Sequence, residues 1–444
     1  NAKIPRCRSH WELEEYTLAE NKRAGAARGK EYSMDKKLRE TAETILHSAL
    51  RAVQPDAAVR RALENAAFPS RVCLVAVGKA AWQMAHAAYE TLGERISGGI
   101  VVTKYEHARG PIGPLRIREA GHPVADENSF AAAKEVLEMT AGLCADDTVL
   151  FLVSGGGSAL FELPLIEPAE QQEITRQLLA CGADIVEMNT IRKRLSAVKG
   201  GRFAQHCSPA HVFSIVLSDI IGDPLDMIAS GPAYPDASTE EQALEIVRKY
   251  DLRLSEQAMD CLRKPTPKAL SNVETHVTGS VRELCAAAMR EAEALGFRCQ
   301  MLTDCLCCQA KEAGSFLASV ARSHQDTGVP LAFLAGGETT VQLTGSGLGG
   351  RNQELALAAA PGISGLRQTA VFSFGSDGTD GPTDAAGGYA DQDTLAALQS
   401  AGWDAVQTLR DNDAYHALQA VGGLLMTGPT GTNVNDLAMV LIAR

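Results

Sequence analysis

The sequence predicts an α/β protein built as two open-sheet units, and three observations carry that expectation. Short, nearly continuous apolar runs alternate with helical patterns from residue 34 onward, as a doubly wound parallel sheet covered on both faces requires. Several of those runs end directly in glycine, where a strand hands over to a helix and open α/β sheets build their sites. The 444 residues exceed what one ordinary core holds, so two domains are expected.

In chain order, "MDKKLRETAETILHSALRAV" from Met34 has the pattern of an amphipathic helix. "RVCLVAV" predicts a strand that leads through Gly78 into a helix beginning near Lys79. "GGIVVTK", "TVLFLVS" and "HVFSIVLSD" predict three more strands, apolar enough to be buried on both faces. The Pro-bearing stretch "RKPTPKALSN", 263–272, reads as a linker and sets a boundary near 270, giving units 34–270 and 271–444. Beyond it the alternation resumes with "RCQMLTD", a helix, "PLAFLAGGETTVQLTGSG", the helix "RNQELALAAA", "TAVFSFGSD" and "LLMTGPTGTNVNDLAMVLI". The first 33 residues are polar and lack sustained periodicity. Lys30-Glu31 can be encoded as a bacterial ribosome-binding sequence just ahead of Met34, so translation is expected to start at Met34, with 1–33 an upstream, non-native extension.

Composition limits the function classes. A net charge of -12 argues against general affinity for nucleic acid or an anionic membrane, so an anionic ligand needs local cations. No apolar stretch approaches the roughly 20 residues of a membrane helix, and no signal-peptide core opens the chain. A cytoplasmic protein is expected. The 11 cysteines are scattered from Cys7 to Cys308 and read as reduced thiols. Cys305, Cys307 and Cys308 have no matching Cys/His pair nearby, so zinc is not expected.

The candidate site lies at strand ends. "SGGGSAL", with Ser154, Gly155, Gly156, Gly157 and Ser158, follows a buried strand and predicts a phosphate or carboxylate cradle rather than a plain turn. Lys79 stands at a helix start, where a cation gains nothing from the helix dipole. The phosphate-loop pattern fails there, because Cys73 replaces its first glycine and Ala80 its hydroxyl residue. "NTIRKRLSAVKGGRFA" gathers cations, of which Arg192 and Lys199 are the candidates for an anion site and the others read as solvated. Asp219 and Asp377 each follow a strand, in segments that also read as turns; paired there they suit magnesium, or either one suits a base for a substrate hydroxyl. "GSGLGGRNQE" holds a G-x-G-x-x-G at Gly345, Gly347 and Gly350, the best argument for a dinucleotide enzyme. The polar alternation of "TTVQLT" and Arg351 at the helix start count against it.

Taken together, "VGKAAWQMA", "LVSGGGSAL", "NTIRKRLSAVKGGRFA", "VLSDIIGDPLDMIASGP", "LAGGETTVQLTGSGLGGRNQELALA", "FGSDGTDGPTDAAGG" and "GTNVNDL" resemble the glycerate 2-kinase family, also called MOFRL, whose older members were labelled hydroxypyruvate reductases. The resemblance covers the chain from residue 34. It implies a larger Rossmann-like N-terminal domain, a smaller α/β MOFRL domain, and an active site in the cleft between them. It implies transfer of the γ-phosphoryl group of ATP, with Mg2+, to the 2-hydroxyl of D-glycerate; a monomer or homodimer with no nucleic-acid or membrane partner is expected. Lys79 and Arg351 match the family's proposed catalytic cations, and Asp219, Glu338, Asp377 and Asn433 fall in its other signature segments. Within that second group, Asp219 is expected to be catalytic and, with Asp377, to hold metal; Glu338 and Asn433 are expected to bind ligand. The glycines of "SGGGS" and of "GSGLGG", Gly345 and Gly347 included, are expected to cradle substrate and nucleotide anions. An NAD(P)H-dependent hydroxypyruvate reductase is the alternative, and a non-catalytic sensor of a sugar-acid phosphate the third reading.

Overall fold

The computed structural model describes residues 35–444 other than 219, 221 and 223. The expectations for residues 1–33, for a start at Met34 and for Asp219 lie outside the described residues. Six strands form the first sheet: β1 (Val72–Val77), β2 (Ile96–Lys104), β3 (Leu115–Ala120), β4 (Thr148–Val153), β5 (His211–Leu217) and β6 (Val273–Gly279). Their order is β3-β2-β1-β4-β5-β6 and every pair is parallel. The apolar runs become the central strands because only a strand covered on both faces hides such residues. This strand order reverses between β1 and β4, which opens a crevice beyond their C-terminal ends. Gly78-Lys79 leaves β1 there, and Ser154 to Ser158 leaves β4.

The second sheet comprises β7 (Arg298–Leu306), β8 (Leu331–Gly337), β9 (Thr369–Gly375), β10 (Gly387–Asp391), β11 (Leu424–Leu425) and β12 (Asp436–Ile442), in the order β11-β10-β9-β12-β8-β7. It is mixed, which departs from the parallel alternation expected. Only β7 and β8 run parallel, and β12 lies antiparallel to both β8 and β9. Parallel neighbours need a crossover, usually a helix, and the stretch 376–386 between β9 and β10 has none. "TTVQLT" forms no strand either; Thr340 makes a single bridge to Gln309.

The two sheets do not divide the chain at 270. β6 lies beyond that position yet pairs with β5. Thr266 donates to Asp236 at 2.7 Å, and Asn272 donates to the carbonyls of Ala204 and Ala210 at 3.0 Å, so the Pro-bearing stretch is pinned to the first unit. The first helix, Lys36–Ala52, crosses the other way. Leu38, Ile45 and Leu46 share a core with Leu284, Leu334, Phe372 and Met439 of the second unit. No described helix is long and apolar enough to cross a membrane.

Candidate active site

Lys79 is held by its backbone from three sides. Its N–H donates to the Gly155 carbonyl at 2.9 Å, while its own carbonyl lies 3.1 Å from Nδ1 of His107 and accepts from Thr103 Oγ1 at 3.3 Å. The next N–H, of Ala80, donates to Ser154 Oγ at 3.1 Å. Gly78, at φ +123°, permits this, because a Cβ there would stand 2.2 Å from Ser154 Oγ. Ser154 therefore locks the ends of β1 and β4 together, where a ligand donor was expected. Lys79 lines a cleft of about 360 Å³ with Trp82, Arg109, Ser154 and Gly155 of the first unit and Asp377, Thr432 and Asn433 of the second. Asp377 Oδ1 accepts from the N–H of Thr379 at 3.0 Å.

A second cavity, about 570 Å³, begins on the other side of Gly155 and is lined by His122, Gly156, Ser158, Asn189, Arg192 and, from the second unit, Glu338. The triple glycine is the partition. Gly156 takes φ +86°, and a Cβ on Gly157 would lie 2.7 Å from the Cβ of Ala229. Ala229 and Ser230 themselves sit at φ +51° and +60°, a strained pair of non-glycine residues at the cavity wall. Ser230 Oγ donates to Asn189 at 2.9 Å and shares a 3.0 Å hydrogen bond with Ser158, which holds that wall in place. Among the described residues, the N–H groups of Gly155, Gly156 and Ser158 donate to nothing.

The two expected cations of the "RKRLSAVKGG" stretch, Arg192 and Lys199, part company. Arg192 is half-buried and lines the second cavity, and its side chain makes no hydrogen bond among the described residues. Burial lowers its pKa, with Glu162 opposing. Lys199 is fully buried, is ion-paired with Glu162 and lines neither cavity. Burial brings it down to about 8 despite that partner. The glycine pair after it, Gly200 and Gly201, reads as an anion site because sequence does not show which way a lysine points.

The dinucleotide fingerprint is satisfied internally. The N–H of Gly345 donates to Asn412 Oδ1 at 2.9 Å and that of Gly347 to the Asp411 carbonyl at 2.8 Å, so both donors are taken within the protein, and neither glycine lines either of the two cavities. Gly350 opens the helix Arg351–Ile363, and a Cβ on it would lie 2.3 Å from Cγ of Asp380. The Asp380 carboxylate accepts from the N–H groups of Asn352 and Gln353 at 3.1 and 2.8 Å. A protein carboxylate thus occupies the place where the fingerprint would put a phosphate. Arg351 projects from the same helix start and is bound by Asp436 at 2.5 and 3.0 Å and by Glu338 at 2.7 Å. Burial opposes its charge, but the hydrogen bonds and charge of Asp436, helped by Glu338, raise its pKa above the ordinary arginine value.

Sequence reasoning missed His122, Trp82, Arg109 and Asp436. His122 follows β3, whose alternating "LRIREA" is too polar to stand out as a strand. The signal that would have found it is "GHP" at the end of that alternation, since parallel strands all end at one edge.

The chain matches the domain of unknown function (DUF4147) over residues 41–263 and the MOFRL family over residues 331–436. It is 51% identical to the D-glycerate 2-kinase of Thermotoga maritima, over 91% of this chain and 98% of that one. A putative hydroxypyruvate reductase of Agrobacterium vitis is 38% identical, over 92% and 95%. The crystal structure of the Thermotoga maritima glycerate kinase superposes with a TM-score of 0.88 at 50% identity, covering 92% of this chain and 100% of that one. With half of all positions shared along nearly the whole length, and the same fold, the chain belongs to the glycerate 2-kinase family.

Proposed function

We propose that this protein transfers the γ-phosphoryl group of ATP to the 2-hydroxyl of D-glycerate, giving 2-phosphoglycerate and ADP. The observation that carries the reading is the pair of cavities meeting at Gly155, with Lys79 on one side, Arg192 and His122 on the other, and the second unit closing both. Phosphoryl transfer asks chiefly for positioning and for neutralisation of charge on the transferred group. The cavity of Lys79 and Trp82 takes the nucleotide in this reading. Lys79 and the unpartnered N–H groups of Gly155 and Gly156 meet its phosphates. The cavity of Arg192 takes glycerate, whose carboxylate suits a guanidinium left without a protein partner. Arg351 then approaches the phosphates from the second unit, moving away from Glu338 as the cleft closes and excludes water.

Asp377 fits a magnesium site, because a strand-end carboxylate in the nucleotide cavity is the donor type that ion takes beside phosphate oxygens. When bound, Mg2+ would neutralise phosphate charge. The cysteines of the described residues are free thiols, which suits the cytoplasm, and a monomer or homodimer suffices for a cleft built within one chain.

The test is incubation of the protein with D-glycerate, ATP and Mg2+, with products identified by phosphorus NMR. The expected result is 2-phosphoglycerate. Absence of any phosphoester, with NADH oxidised when hydroxypyruvate is added, would falsify the kinase reading in favour of the reductase.

A further inference from the structure

The partition between the two cavities brings two side chains to one point. A Cβ placed on Gly156 would lie 3.2 Å from Cγ of Lys79, and 3.0 and 3.1 Å from Cδ2 and Nε2 of His122. Lys79 lines the cavity given above to the nucleotide, and His122 lines the one given to the acceptor. His122 is half-buried and makes no hydrogen bond among the described residues. A ring nitrogen is therefore left for a ligand where a hydroxyl in one cavity would meet a phosphoryl group in the other.

We infer that His122 is a catalytic residue, the base that takes the proton of the acceptor hydroxyl. The inference rests on the kinase reading above. In the step, the hydroxyl oxygen forms a bond to the γ-phosphorus while the bond from that phosphorus to the bridging oxygen breaks, and that oxygen leaves with the electron pair as part of ADP. The hydroxyl proton passes to the imidazole, which returns it to solvent after product release. The surroundings keep the ring ready. Burial first, and then the positive charges of Lys79 and Lys104 and the neighbouring His107, lower its pKa, so it is neutral at pH 7 and accepts a proton. Arg192, in the same cavity, adds positive charge and Glu338, on the second unit, opposes it. No carboxylate hydrogen-bonds to the ring among the described residues, so nothing there holds it as imidazolium.

The experiment is the pH dependence of glycerate phosphorylation, from pH 5 to 9, for the full chain and its His122→Gln variant. In the wild type the rate falls on the acid side as the ring is protonated. In the variant kcat at pH 7 drops about 100-fold with little change in KM, and the acid limb no longer levels into a plateau near neutrality. The variant's rate then climbs with hydroxide, and added imidazole restores part of it. A variant that keeps kcat within about threefold and keeps the wild-type limb and plateau, or that raises only KM for glycerate, overturns the inference. If His122→Gln does not fold, His122→Asn with imidazole rescue gives the same decision. Failure of the kinase reading is distinguishable, since the wild type itself would then form no phosphoester.

Discussion

Lys79 gains nothing from the helix that follows it, and its backbone is fixed by Gly155, Thr103 and His107. A cation placed at such an electrostatic cost is expected to act on a ligand rather than on the fold. Lys79→Met should therefore lower kcat by about 100- to 1,000-fold and leave the unfolding midpoint almost unchanged, as read by steady-state kinetics and urea denaturation. A large loss of stability with normal turnover would return Lys79 to a structural role. At this scale residue type was legible and direction was not. "SGGGS" announced a place without side chains, yet its Ser154 braces the loop and its Gly157 clears Ala229. Lys199 and Arg192 are both cations beside the same motif, and only packing sends one into Glu162 and leaves the other at a cavity.

The helix Arg351–Ile363 shows how an element is set by a distant carboxylate. Asp380 caps it while almost wholly buried, and burial raises the pKa of that carboxyl to about 6 despite the N–H groups of Gln353 and Asn352. A carboxyl that binds its proton more tightly when folded contributes stability below the unfolded pKa of about 3.8 and loses it as pH rises through about 6. Asp380→Asn removes that titration and keeps an acceptor for the helix end. Its stability relative to wild type should thus improve steadily from pH 4 to pH 7, by on the order of a few kcal/mol. Urea unfolding across that range checks this, and parallel curves for the two proteins would show that Asp380 titrates normally. Most strands were legible because a buried parallel strand is written as an apolar run. β3 and β6 were not, since both stand at the sheet's edges and carry polar residues on half-exposed faces.

For the whole molecule, the chain crosses between the two sheets more than once. The helix Lys36–Ala52 begins the chain's described part yet covers the second sheet beside Val281–Ala294. Ile45, fully buried in that contact, should cost about 2–4 kcal/mol when cut to alanine, a loss that urea denaturation would register. An effect near zero would mean that the helix contributes little to the second unit. Such crossing also places both units against the same two cavities, with Asp377 and Asn433 entering one and Glu338 the other. A closing motion of the units then changes both at once.

By itself the sequence determined the α/β class, the strands of the sheet centres, the glycine-rich strand ends and the family, because these depend on local composition and on motifs read along the chain. The mixed order of the second sheet, the internal use of Gly345 and Gly347, the burial of Lys199 and the meeting of His122 with Lys79 at Gly156 were decided only in the tertiary structure. Each depends on which distant segment arrives beside a residue. A hydrogen-bond donor, a cation or a glycine carries its chemistry in the sequence, but whether it meets a partner or a ligand is settled by packing.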